Sequence, residues 1–312
     1  MLDLAVIIVT WNVREIVLDA LRTLYTDLEN SGLSAKVIVV DSASDDDTVG
    51  AVRQNFPQVE VIASQENLGF GRSNNAGMEA LGFGKDVPPE ELPSAVYLLN
   101  PDTLTQPGAT RQLYDTLFSA TDIGLTGAQL SYGDGSFQHS AFAFPGLRQL
   151  WAEFFPTPGR FIEGRFNGRY PRALYAGKTA FDVDFMLGAT MMLRREVILE
   201  MGMFDPQFFM YGEEVDWQWR IRKAGWRIVC DPRAHVIHLV GQSTGQAKPR
   251  SIRNLWQSRL ILYKKHYPAW KLTVAKWLVS AGMRRKIQQA QAEHAPDDVI
   301  QAYQTVQEWA QV

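Results

Sequence analysis

Asn100-Pro101-Asp102 closes a run of four apolar residues (96–99) that lacks helical spacing and reads as a strand buried on both faces. Pro101 cannot continue a central ladder, so the strand ends there. In open α/β sheets, ligands gather at the carboxyl ends of strands. Asp102 would therefore stand where a carboxylate can hold a divalent cation against a substrate phosphate. Asn-Pro-Asp-Thr is equally good turn chemistry, and taken by itself the turn is the stronger reading.

A second concentration of reactive groups is Glu213-Glu214-Val215-Asp216, beside Phe208, Phe209, Tyr211 and Trp217. Asp216 is one helical turn from Arg220 and is assigned to that ion pair. Glu213 and Glu214 suit an acidic first turn that complements the helix dipole. Their aromatic flank also suits a desolvated carboxylate of raised pKa, which is what a general base requires. His235 and His238 follow the strand-like run 227–230. His238, next to a Gly/Ser/Thr loop, is the more accessible of the two.

Thr10-Trp11-Asn12 and Asp41 close the first two strands at one sheet edge. A carboxylate there can accept from a base imide or a ribose hydroxyl, or simply begin a turn and cap the next helix. In Asn67-Leu68-Gly69-Phe70-Gly71, the two glycines permit close backbone approach ahead of a helix N-terminus, which favours an anion. The spacing is not that of a dinucleotide-binding turn, and it does not follow the first strand, which disfavours a nicotinamide oxidoreductase. Asn74 and Asn75 are poor helix formers one turn inside that helix, which favours a functional use.

The elements that must position these groups alternate. Strands are predicted over residues 4–9, 36–40, 59–63 and 96–99, with helices between them, including 71–81. Further strand character lies at 181–193 and 227–230, and a helix at 213–224. This order predicts an α/β fold with a mainly parallel sheet and helices on both faces. Residues 133–178 show no sustained period. A Gly/Ser/Thr loop at 241–249 divides a domain of residues 1–240 from a helical extension, 241–312.

With 312 residues, 46% apolar and 21% charged, the chain has the composition of a globular protein. A net charge of −3 argues against nucleic-acid binding. Cys230 is the only cysteine, which excludes an intrachain disulfide and fits a reducing, cytoplasmic compartment. The N-terminus lacks the basic n-region of a signal peptide, and no uncharged apolar run reaches the roughly 20 residues of a membrane span.

In order, the stretches Val-Ile-Ile-Val-Thr-Trp-Asn, Val-Val-Asp-Ser-Ala-Ser-Asp, Asn-Leu-Gly-Phe-Gly-Arg-Ser-Asn-Asn-Ala-Gly, Leu-Asn-Pro-Asp, Gly-Ala-Thr-Met-Met-Leu-Arg-Arg and Phe-Asp-Pro-Gln-Phe-Phe-Met-Tyr-Gly-Glu-Glu-Val-Asp-Trp, then His238 with Ser243-Thr244, resemble glycosyltransferase family 2. The similarity is to the inverting GT-A fold, in its rhamnosyltransferase-like branch, and covers about residues 4–265. It implies a Rossmann-like mixed sheet and a nucleotide-sugar donor contacted by Thr10, Trp11, Asn12, Asp41, Asn67, Gly69, Asn74, Asn100, Asp102 and Gly188. It also implies Mg²⁺ or Mn²⁺ held by Asp102 and His238, and Glu214 as catalytic base with Glu213 as fallback. The donor would be dTDP-rhamnose and the acceptor a hydroxyl of a cell-envelope glycan or lipid-linked sugar. The resemblance also implies that residues 143–178 lie on the acceptor side, with Trp151 and Phe154 available for sugar or lipid contact. Asn100 replaces the first acid of the family's Asp-x-Asp, and Glu214 is one methylene longer than the usual Asp. These departures keep open a degenerate member that binds nucleotide or glycan without transfer. Residues 241–250 would form a lid, with Arg250 or Arg253 reaching the diphosphate. The apolar helix at 270–283, followed by Arg284-Arg285-Lys286, is expected to pack on the catalytic domain or on a homodimer partner. A peripheral seat at the inner membrane face is the alternative. A further polar helix is expected over 288–312.

Overall fold

A computed structural model describes residues 2–240 and 248–311. β1 (Leu4–Thr10) is almost wholly buried and pairs in parallel with β2 (Ala35–Asp41) across α1 (Arg14–Glu29). Following α2 (Thr48–Asn55), β3 (Glu60–Ala63) extends the sheet in parallel as its outer strand. Helix α3 (Gly69–Ala80) begins two residues before the predicted position, because Asn67 Oδ1 accepts from the Gly69 N–H at 3.0 Å and closes the turn there. β4 (Ala95–Leu99) pairs with the other side of β1 and ends at Asn100-Pro101. β5 (Thr103–Thr105) follows at once, and α4 (Ala109–Phe118) leads into β6 (Ile123–Ser131).

The irregular middle contains β7 (Phe137–Gln138), β8 (Ala141–Phe142), α5 (Leu147–Phe154), α6 (Gly159–Ile162) and α7 (Arg172–Ala176). The strand region expected at 181–193 is three pieces: β9 (Phe181–Val183), β10 (Phe185–Met186) and β11 (Thr190–Arg194). Gly188 lies in the turn before β11, which runs antiparallel between β4 and β6 and makes the sheet mixed. After α8 (Arg195–Met201), α9 (Glu213–Lys223) carries the acidic cluster.

The strand predicted to end at Cys230 continues as β12 (Arg227–His238), so His235 and His238 lie within it. Pro232 would break a regular ladder, but the register against β6 shifts between Asp231 and His235 and the pairing resumes. The sheet order is β3-β2-β1-β4-β11-β6-β12-β5, with apolar cores on both faces.

Helices α10 (Lys248–His266), α11 (Ala269–Ala292) and α12 (Asp297–Gln311) form the C-terminal extension. The helix expected over 288–312 starts only at Asp297, past Pro296, because α11 runs on to Ala292. The extension shares an apolar cluster with α5: Leu150 and Phe154 join Trp256, Tyr263, Leu278 and Met283. Of the expected lid, residues 241–247 lie outside the described residues.

Candidate active site

The carboxyl ends of β1 and β4 open on a cavity of ≈ 280 Å³. From the sheet side it is lined by Thr10, Trp11, Asn100, Asp102 and Gly188, and from the start of α3 and the turn before it by Gly69 and Asn67; Glu213, Glu214, His238 and Arg250 complete it. Pieces of chain up to 240 residues apart therefore meet in one space.

The pairing of β12 with β5 sets the first relationship. His238 faces Thr103 in that antiparallel ladder, and the Leu239 N–H donates to the Asp102 carbonyl at 2.9 Å. The result is His238 Nε2 at 3.3 Å from Asp102 Oδ1, both side chains being buried. Asn100 Nδ2 lies 3.5 Å from the same ring nitrogen. On the far side of the ring, Nδ1 is 3.1 Å from the Gln138 amide nitrogen, while Gln138 Oε1 is buried without a hydrogen-bond partner. As placed, the amide lets Nε2–H donate to Asp102; with the amide turned over, which the unpartnered Oε1 favours, Oε1 would accept from Nδ1–H and Nε2 would present a lone pair beside the Asp102 carboxylate. Two acceptors that close repel unless a cation sits with them, so the pair fits a divalent ion. Among the described residues no group of three or more His, Cys, Asp or Glu forms a protein-only metal site. The remaining ligands would have to be phosphate oxygens and water.

Across the cavity, Tyr211 (φ 68°) and Gly212 (φ 83°) turn the chain sharply into α9, placing Glu213 and Glu214 in its first turn. A helix N-terminus ordinarily favours ionised carboxylates. Here burial overrides it: desolvation, then the neighbouring Glu214 charge, pushes Glu213 well above its ordinary value. Desolvation likewise raises Glu214. Glu213 Oε2 is buried with no hydrogen-bond partner. Gly188 lies against Glu214, where a Cβ would meet Glu214 Cγ at an ordinary contact distance of 3.6 Å.

Gly69 holds the loop before α9 in place. Its φ is +75°, and a Cβ would lie 2.0 Å from the Phe209 carbonyl oxygen, so only glycine allows this approach. Arg250 stacks on the Phe209 ring at 4.9 Å.

Three residues expected at the donor do not line the cavity. Asp41 is buried and accepts from Thr10 Oγ1 at 2.8 Å and from the Ser44 N–H and Oγ at 2.9 and 2.6 Å. Asn12 accepts from the Asp45 N–H at 2.9 Å. Both brace the loops after β1 and β2. Asn74 donates to the Phe70 carbonyl at 2.9 Å inside α3. Asn75, whose helix position also favoured function, exchanges hydrogen bonds with the Phe204 backbone and fixes the chain leading to α9. Arg253 does not line the cavity, whereas Arg250 does. Asp216 makes its ion pair with Arg220 at 3.1 Å and gains Lys265 and His266 from α10 at 2.8 and 2.6 Å. Sequence reading missed Gln138, and it took Phe209 and Tyr211 only as an aromatic flank, not as the residues that seat on Gly69 and turn the chain into α9. A left-handed tyrosine carries no local signal, and Gln138 matters only through its distant partner.

A mixed sheet of this order, with ligand-binding groups at its carboxyl edge and an acidic helix start facing them, is the GT-A glycosyltransferase fold. Among solved structures it is similar to GalNAc-T7 with UDP, GalNAc and Mn²⁺ (TM-score 0.59, 14% identity, 88% of this chain and 51% of that longer one). It is also similar to the mannosyltransferase PcManGT from Pyrobaculum calidifontis in complex with GDP-Man and Mn²⁺ (TM-score 0.58, 15% identity, 99% and 89% covered).

More particularly, residues 3–258 match the family described as "Glycosyltransferase like family 2", and the chain belongs to it. It is a glycosyltransferase. It is 27% identical over 253 residues to an N-acetylglucosaminyl-diphospho-decaprenol L-rhamnosyltransferase of Mycobacterium tuberculosis, with 79% of this chain and 80% of that protein covered.

Proposed function

We propose that this glycosyltransferase is metal-dependent and inverting, and that it moves a sugar, rhamnose from dTDP-rhamnose, to a hydroxyl of a cell-envelope glycan or lipid-linked acceptor. The observation that carries the reading is the desolvated pair Glu213–Glu214 in the same cavity as Asp102 and His238. The sugar assignment is supported by the similarity to the mycobacterial rhamnosyltransferase, whose name also specifies a diphospho-decaprenol acceptor. A cytoplasmic site of action is supported by the lone buried thiol of Cys230. Residues 1–240 would be the transferase domain and 241–312 an extension that buttresses it.

In this reading Thr10, Trp11, Asn67 and Gly69 line the nucleotide end, with Asn12, Asp41 and Asn74 holding those loops in shape. Asp102 and His238, with Asn100 beside them, would hold Mg²⁺ or Mn²⁺, which when bound neutralises charge on the departing diphosphate, an effect of several kcal/mol. Arg250 approaches the same charge from α10. Glu214 accepts the acceptor hydroxyl's proton as that oxygen bonds to the anomeric carbon. The carbon–oxygen bond to the diphosphate breaks on the opposite face, which inverts the centre and releases the nucleoside diphosphate. Burial keeps the proton affinity of Glu214 high; Glu213 beside it is the fallback base. General-base assistance contributes about 10²–10⁴-fold, so positioning of both substrates must supply much of the rate.

Nucleoside diphosphate release from a nucleotide-sugar panel with Mg²⁺ or Mn²⁺ tests this. Turnover lost in Asp102→Ala and in Glu214→Gln is expected. Metal-dependent nucleotide binding with no turnover for any donor would instead indicate a binding protein that has lost transfer.

A further inference from the structure

Charge is distributed very unevenly along this chain. Between Asp231 and Glu293 there are 12 Lys and Arg and no Asp or Glu, so within a net charge of −3 the rest of the chain carries −15. Helix α11 lies in this acid-free stretch and has two opposite faces. Ala275, Leu278, Val279, Gly282 and Met283 are buried; a Cβ on Gly282 would strike the Phe154 ring at 2.2 Å, so this face is closed tightly on α5. The opposite face exposes Trp270 (60%), Val274 and Trp277 (64%), and continues at helical spacing into exposed Arg284 and Arg285.

The face extends beyond one helix. The Arg285 guanidinium lies 5.6 Å from the Phe155 ring centroid, Phe155 packs on Trp151 at 4.6 Å, and Trp151 is 45% exposed. Tryptophans with cations beside them suit a boundary that is apolar below and anionic at its surface. Among the described residues no helix is long and apolar enough to cross a membrane. A second copy is a poor occupant: an isologous contact would set the acid-free α11 face against itself, cations opposing cations.

We propose that the face formed by Trp151, Trp270, Val274, Trp277, Arg284 and Arg285 seats the protein on an anionic lipid bilayer. This holds independently of which sugar or nucleotide the active site takes. Sedimentation of the full chain with vesicles tests it, comparing phosphatidylcholine alone with phosphatidylcholine containing phosphatidylglycerol. Binding to the anionic vesicles is expected, weakened at 0.5 M salt. Each cation at such a surface contributes about fivefold, so Arg284→Gln/Arg285→Gln should weaken that binding about 30-fold. Trp270→Ser/Trp277→Ser should weaken it roughly tenfold or more through lost apolar burial. All four positions are exposed, and circular dichroism would verify that both variants stay folded. No partition to anionic vesicles, partition unchanged in either variant, or a solution dimer that the tryptophan variant dissociates would each overturn the proposal.

Discussion

As the proposed base, Glu214 would draw its use from an unfavourable setting. A half-buried carboxylate beside the buried Glu213 holds its proton to higher pH than an exposed glutamate does. The base must be ionised to act, so kcat/KM should rise with pH along an acid limb centred above the ordinary glutamate value of 4.5. Glu213 is raised further still, in part by the Glu214 charge, and so stays neutral while Glu214 ionises. Glu213→Gln should therefore leave that limb nearly in place, and pH–rate profiles of both proteins check this. In the proposed metal site Gln138 would act at one remove, by fixing which nitrogen of His238 is free. Gln138→Leu should weaken Mn²⁺ affinity about 10–100-fold, measured by calorimetry in the presence of nucleoside diphosphate, and leave metal-free nucleotide binding nearly unchanged. The acids and His238 were legible in the sequence because their residue types limit what they can do. Gln138 was not, since its role exists only where β7 passes β12.

Among the elements, the start of α3 and the loop before α9 form one device. Gly69 lets the Phe209 carbonyl approach the α3 N-terminus, and Asn75 ties the same loop through Phe204. Gly69→Ala forces a side chain into a left-handed backbone and against a carbonyl. A loss of about 2–3 kcal/mol is expected from strain and displacement together, read by urea unfolding, with weaker nucleotide binding since the loop lines the cavity. Strand positions 4–9 and 96–99 were plain in the sequence, being continuous apolar runs. The reach of β12 past Pro232 was not, because a register shift depends on the partner strand.

Across the whole molecule, Asp216 ties α9 to the C-terminal helix α10. It is fully buried and takes Arg220 from its own helix with Lys265 and His266 from α10. Burial alone would raise its pKa, but the His266 and Lys265 hydrogen bonds prevail and hold it at about 2, against an ordinary 3.8. This contribution, about 2 kcal/mol, is present above pH 3.8 and is lost as pH falls towards 2. Asp216→Asn should lose about 3 kcal/mol at neutral pH and flatten that acid limb of stability. Urea titrations at several pH values should show one transition moving as a unit, whereas a separate early transition of α10–α12 would mean that the coupling is weak.

By itself the sequence determined the alternation of strands and helices, the family, and the reactive residue types that gather in the cavity, because apolar periodicity and chemical character are local properties. It also determined the Asp216–Arg220 pair, one helical turn apart. Only the tertiary structure decided that Asn12, Asp41 and Asn74 brace loops instead of lining the cavity, that Gln138 stands behind His238, and that α10 reaches back to Asp216. Each of these is a contact between distant segments, fixed by strand order and packing, and no local pattern encodes it.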